Sequence, residues 1–224
     1  SLAGQPIAFN DISSHQEHWL EEGEWDVWLS PCSGYREFNL ARMKEVVMAG
    51  VDGLWVDTVY LQHSIGNHDG LWPSTDPCSV QAFKLATGLA VPPAENWDNP
   101  AWRRWIVWRQ GQLRQFLMEM KEAARAINPE LVFFEENWNV DGAGSTLYAN
   151  DPTAYTGLAD LSTGHEVSTI ADRVDEGATA MQEASLEQWL DFATMIKFTR
   201  GADRDKPSWI LTYGYQPADA ERLA

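Results

Sequence analysis

The stretch Gly50-Val51-Asp52-Gly53-Leu54-Trp55-Val56-Asp57-Thr58 is an apolar run that closes on a carboxylate. A helical pattern precedes it, and a long segment rich in polar and aromatic residues follows. A buried strand that ends on an acid holds the charged side chain rigidly and still lets it reach solvent. The pattern recurs in Leu131-Val132-Phe133-Phe134-Glu135-Glu136, again apolar and again ending on carboxylates. Between the two runs lies a long amphipathic segment. A chain built this way is constrained to alternate strands with helices and to collect its chemistry at strand ends.

The rest of the chain follows that rule. Pro6 to Asn10 and Trp25 to Ser30 read as short strands, the second stopped by Pro31. Tyr35 to Ala49 carries Phe38, Leu40, Met43, Val46 and Val47 at helical spacing, and Gly50 ends it. Tyr60 to Asp98 is long and irregular, with only Ser79 to Ala86 helical within it. Such loops in compact domains are usually functional. Asn99-Pro100 is a helix start, with Asn as cap and Pro in the first turn. The helix runs through Trp102, Trp105, Ile106, Leu113, Phe116, Leu117, Met120, Ala124 and Ile127 until Asn128-Pro129 stops it. Thr156 to Leu161 is a weaker strand, Ser185 to Thr199 a helix, Gly201 to Lys206 a loop, and Pro207 to Tyr213 a last strand.

Strands alternating with helices predict an α/β fold, a parallel sheet with helices outside it. Two architectures fit, a doubly wound open sheet and a (β/α)8 TIM barrel, the latter usually about 250 residues. The absence of a Gly-x-Gly-x-x-Gly or P-loop sequence removes the main support for the nucleotide-binding version. Acids at several strand ends favour the barrel, as a single domain over residues 1–224 whose completeness the sequence leaves open. The start at Ser1 and the helix-like end at Asp219 to Ala224 lead us to expect a piece of a longer protein.

Composition narrows the partners. Asp and Glu number 33 against 16 Lys and Arg, a net charge of −17. Such a surface repels phosphate backbones, so no nucleic acid and no anionic membrane is expected as partner. No apolar window reaches the roughly 18 residues of a membrane-spanning helix. The two cysteines, Cys32 and Cys78, fit either one bridge in a secreted chain or two free thiols, so secreted and cytoplasmic settings both stay open. The 12 tryptophans supply flat apolar faces that suit the C–H faces of sugar rings. About half of them are expected in the core instead.

Glycoside hydrolysis needs two carboxyl groups across the scissile bond, one to protonate the leaving oxygen and one to attack or to activate water. Asp57 and Glu136 fit as that pair. Strand alternation sends Glu135 to the opposite side from Glu136, where it is a structural neighbour. Asp160 and Glu166 form a third acidic group, alternative acid/base residues or stabilisers of positive charge, beside His165. Trp55, Tyr60, Asn137, Trp138, Tyr213 and Tyr215 are candidate sugar contacts. His15-x-x-His18, His63 and His68-Asp69 match no zinc signature, and no metal or cofactor is required. The reading is a glycosidase acting on a carbohydrate substrate. Its rivals are an inert carbohydrate-binding barrel and a metal-dependent hydrolase using the loop histidines. Oligomeric state is left open.

The run from Gly50 to Asp57 resembles the fourth-strand motif of the α-amylase superfamily of barrel glycoside hydrolases, Gly-x-Asp-Gly-Phe-Arg-x-Asp, whose last Asp is the nucleophile. The resemblance implies that role for Asp57. Glu136-Asn137-Trp138 is similar to the motif of that superfamily's Glu acid/base. Trp55 stands where the motif has arginine, and Trp55-Val56-Asp57 is closer to the Trp-x-Asp of the α-glucosidase and α-galactosidase clan. There the acid/base is an Asp on the sixth strand, which the resemblance would assign to Asp160. Trp28 to Phe38 and Cys78 to Pro93 also resemble the barrels of β-galactosidase-like and poorly characterised glycoside hydrolases, whose catalytic pair is two Glu.

Overall fold

The computed structural model describes residues 30–32, 34–57, 61, 77–93, 95–136, 146, 148–155, 157–160, 165–166, 186–204, 206–207 and 209–211. The expected strands at Pro6 to Asn10 and Trp25 to Ser30 lie outside these residues, save Ser30 itself. The elements in chain order are α1 (Tyr35–Met48), β1 (Gly53–Val56), α2 (Pro77–Thr87), α3 (Pro100–Arg125), β2 (Val132–Glu135), α4 (Pro152–Tyr155), β3 (His165–Glu166), α5 (Leu186–Asp203) and β4 (Ile210–Leu211). Among the described residues β1 pairs with β2, and β3 pairs with β4 in parallel, His165 against Ile210 and Glu166 against Leu211. This is an α/β arrangement; the described strands do not by themselves close a barrel.

The chain divides into two compact units, the first holding α1, α2 and α3, the second holding β1 from Leu54 on, β2, β3, β4, α4 and α5. The core of the first unit follows from the stripe on α3. Trp102, Trp105, Ile106, Arg109, Leu113, Phe116, Leu117, Met120 and Ala124 are all buried, at the threes and fours that keep one helix face inward. Phe83 of α2 packs edge-on against Trp105 and Trp108, with ring centroids 5.0 and 5.7 Å away, and the two indoles stack on each other at 5.1 Å. Trp105 is therefore a core residue, as expected for part of the set, and Trp108 packs partly buried against it.

Local chemistry sets the ends of the helices. The Asn99 side chain accepts the Ala101 N–H at 2.9 Å, and Pro100 fills the first helical position, where a missing N–H costs nothing. Asn99→Ala should cost about 1 kcal/mol, read as a lower urea midpoint with an unchanged slope. After α1 the chain turns at Gly50 with φ +92°, a conformation that strains any side-chain-bearing residue. Beyond α3, the Asn128 amide donates to the Val51 carbonyl at 3.3 Å and so fixes the lead-in to β1.

One residue of the α3 stripe is charged. Arg109 is buried, and its guanidinium donates to the Thr146 carbonyl at 3.2 Å. Burial lowers its pKa to about 9, so it still carries its charge at neutral pH.

An ion pair joins α1 to α3. Arg36 grips the Glu119 carboxylate through Nε at 2.7 Å and Nη2 at 2.5 Å, while its guanidinium covers the Phe116 ring. The hydrogen bond from Arg36 holds the Glu119 carboxyl below its ordinary pKa. Stability from such a group is full above the unfolded-state carboxylate pKa and is lost as pH falls through the folded-state value. The pair is partly exposed, so screening limits it to roughly 0.2–1 kcal/mol. Glu119→Gln should therefore lower the thermal midpoint slightly at pH 7 and leave it unchanged near pH 2.

Two expectations on the second half of the chain need correction. Residues 157–160, expected within a strand from Thr156 to Leu161, are not in a strand. Pro152 opens the one-turn helix α4, and Leu158 and Ala159 donate their N–H groups back to the Tyr155 carbonyl at 2.7 and 3.1 Å. That local turn takes up the backbone that a strand would have paired. His165 and Glu166 form β3. Gly201, read as loop, lies inside α5, which runs to Asp203 because Thr199, Ala202 and Asp203 are buried and hold its last turn. The cysteines, for which bridge and free thiols were both open, form a disulfide, Cys32–Cys78, with Cα atoms 5.8 Å apart.

Candidate functional site

The site is built on β1 and β2. Asp57 follows the last residue of β1, and Glu136 follows the last residue of β2. The Glu136 N–H donates to the Val56 carbonyl at 2.9 Å, so the ladder carries the two strand ends side by side. One repeat earlier, Trp55 stacks on Phe134 with centroids 6.3 Å apart and planes 10° from parallel. Rings that stack across neighbouring strands project from the same face, and side chains return to that face every second residue. Asp57 and Glu136 therefore belong to the face that bears Trp55 and Phe134.

Their surroundings differ. Asp57 is exposed and Glu136 is buried. Glu135 is fully buried on the other face with Phe133. Both glutamates are thus enclosed.

Asp160 has a definite structural task. Its carboxylate accepts the Phe133 N–H at 2.8 Å, and its own N–H donates to the Phe133 carbonyl at 2.9 Å. It extends the pairing of β2 with one side-chain and one backbone bond. The Lys206 ammonium donates to the neighbouring Ala159 carbonyl and ties the end of α5 to the same turn.

Trp55 is 48% exposed although it sits in a strand. Two residues in contact with this row were not among the sequence candidates. Phe134 stands two before Glu136 as Trp55 stands two before Asp57, a symmetry that alternation alone would have revealed. Trp209, just before β4, meets Phe134 edge-on at 5.4 Å and is 54% exposed. No local signal marks that contact.

Of the remaining candidates, His165 and Glu166 have a described backbone in β3. Their side chains lie outside the described residues, as do Tyr60, Asn137, Trp138, Tyr213 and Tyr215 and the histidines at 15, 18, 63 and 68. Among the described residues no three His, Cys, Asp or Glu side chains gather as a metal site, and no helix is long and apolar enough to cross a membrane.

No protein-family model matches the sequence. No curated protein matches it at a significant level. Among solved structures the chain is similar to the PgaB (BpsB) glycoside hydrolase domain from Bordetella bronchiseptica, at 13% identity and a TM-score of 0.63. The match covers 97% of this chain and 69% of that one. At this identity the likeness is one of fold. It supports a glycoside-hydrolase-like α/β fold and does not carry the α-amylase assignment implied by the strand motif.

Proposed function

We propose that this chain is a glycoside hydrolase whose carboxylate pair is Asp57 and Glu136, on a (β/α)8 scaffold that spans residues 1–224 as one catalytic domain. The observation that carries the reading is the Glu136 N–H bond to Val56, which sets two acid-bearing strand ends next to each other on one aromatic face. The fold likeness to a glycoside hydrolase domain supports it from outside the site.

The two environments divide the labour. Burial favours the proton-carrying form of a carboxyl group, and exposure favours the charged form. Glu136 is therefore the general acid toward the leaving oxygen. Asp57 is the carboxylate that attacks the anomeric carbon or activates water there. Glu135 faces away and holds β2 in place, and Asp160 is a positioning group rather than the acid. The substrate is an oligo- or polysaccharide. His165, Glu166, Tyr60, Asn137, Trp138, Tyr213 and Tyr215 are proposed to contact it.

The test is release of reducing ends from a panel of soluble glucans, mannans, xylans and galactans. The wild-type chain should release them from at least one, and Asp57→Asn should bind that glycan without cleaving it. Unchanged turnover in Asp57→Asn would remove Asp57 from the mechanism.

A further inference from the structure

We infer that Trp209 is a substrate-binding residue, the far side of an aromatic floor that continues through Phe134 to Trp55. The inference deepens the glycosidase reading and rests on it. Most of the aromatic side chains around α3 are spent on packing, with Trp102 and Trp105 wholly buried among other rings. The row in the second unit is different. Phe134 is half-buried at its centre, while the indoles on either side each leave about half their surface in water.

Three rings from three separate chain segments touch in series, at 6.3 and 5.4 Å. A contiguous exposed aromatic patch is costly to leave bare and usually marks a binding surface. The occupant follows from what adjoins it. The face that carries Trp55 and Phe134 carries Asp57 and Glu136 one strand repeat further on, roughly 6.6–6.8 Å along the chain direction. A ligand lying on the rings and reaching the carboxylates must offer a flat apolar face and a polar edge. A hexopyranose does so: its axial C–H groups stack on aromatic faces and its hydroxyls and anomeric centre lie at the rim. The chain's charge of −17 argues for a neutral sugar over a uronic acid. Trp209, set edge-on to Phe134, widens the floor beyond what Trp55 alone can cover.

The experiment uses cellohexaose, laminarihexaose, maltohexaose and mannohexaose as probes. Binding is followed by tryptophan fluorescence and hydrolysis by product release, each on wild type, Trp209→Ala, Trp209→Phe and Trp97→Ala. Trp97 is the control, an indole of similar exposure that also makes one edge contact, with Trp102. Trp209→Ala should raise KM and Kd about tenfold, equivalent to about 1.4 kcal/mol, and leave kcat within about threefold. Trp209→Phe should recover most of the loss, and Trp97→Ala should match wild type. Recovery by phenylalanine separates lost stacking from lost folding.

If Trp209→Ala matches wild type while Asp57→Asn is silent, the floor is overturned and the glycosidase stands. If Trp209→Ala weakens binding while Asp57→Asn turns over normally, the floor stands as a carbohydrate-binding surface and the assigned catalytic pair fails. Absence of saturable binding with all four probes overturns the floor.

Discussion

Glu136→Gln lowers turnover on unactivated glycans by about 10²–10⁴-fold, the range that a positioned general acid contributes. Glutamine keeps the shape and hydrogen-bonding capacity of the side chain but has no proton to give. The loss should shrink on an aryl glycoside whose leaving group departs without protonation. Asp57→Asn should suffer on both substrates, because it removes the charge that meets the anomeric carbon. That contrast assigns the roles: the variant rescued by a good leaving group marks the acid. Glu135→Gln gives the control from the same strand. It lies on the opposite face, so it should cost stability and leave the rate of folded protein within a few-fold of wild type. Asp160→Asn should also keep its rate, since the asparagine carbonyl can still accept the Phe133 N–H. Full loss in Asp160→Asn, with Glu136→Gln active, would overturn the assignment and favour the pattern of the α-glucosidase and α-galactosidase clan. Proton NMR of the first-formed product then reads the carboxylate spacing. A retained anomer implies about 5–5.5 Å, an inverted one about 6.5–9.5 Å.

The carboxylate positions were legible because local signals mark them. Asn99-Pro100 and Asn128-Pro129 punctuate α3 from both sides, and the second leads directly into the strand that precedes Glu136. Gly50 does the same for α1 and β1. The legible features thus need only a few residues of context. What escaped depends on distant parts of the chain. Phe134 meets Trp209 across more than seventy positions of sequence, and no periodicity encodes that approach. Thr156 to Leu161 has apolar residues suited to a strand, but Pro152 favours a helical turn, and Asp160 then supplies with its side chain the acceptor that β2 requires. Gly201 should weaken α5 by about 1 kcal/mol relative to Ala, yet burial of the residues around it outweighs that preference. In each case tertiary packing decides between conformations that the local sequence leaves close in energy.

Reduction of Cys32–Cys78, or the double change Cys32→Ser with Cys78→Ser, should lower unfolding stability by about 4 kcal/mol. The bridge spans a sequence separation of 46 and ties the approach to α1 to the first turn of α2. Closing a loop of that length removes chain entropy from the unfolded state worth about 4 kcal/mol, and loss of native bridges commonly costs 2–5 kcal/mol. Against a usual net stability of about 5–15 kcal/mol this is a large share. For a chain of this size it corresponds to a fall in Tm on the order of 10 °C. The sequence between the two cysteines includes β1 and Asp57. Turnover at low temperature should then survive reduction, while its half-life on warming shortens. A bridge of this kind persists in oxidising compartments and is rare under cytosolic reduction, so the effect should follow the redox poise of the buffer. Thiol titration of unfolded protein prepared without reductant should find no free thiol. Two titratable thiols, or identical melting with and without reductant, would show that the pair contributes nothing to the folded chain.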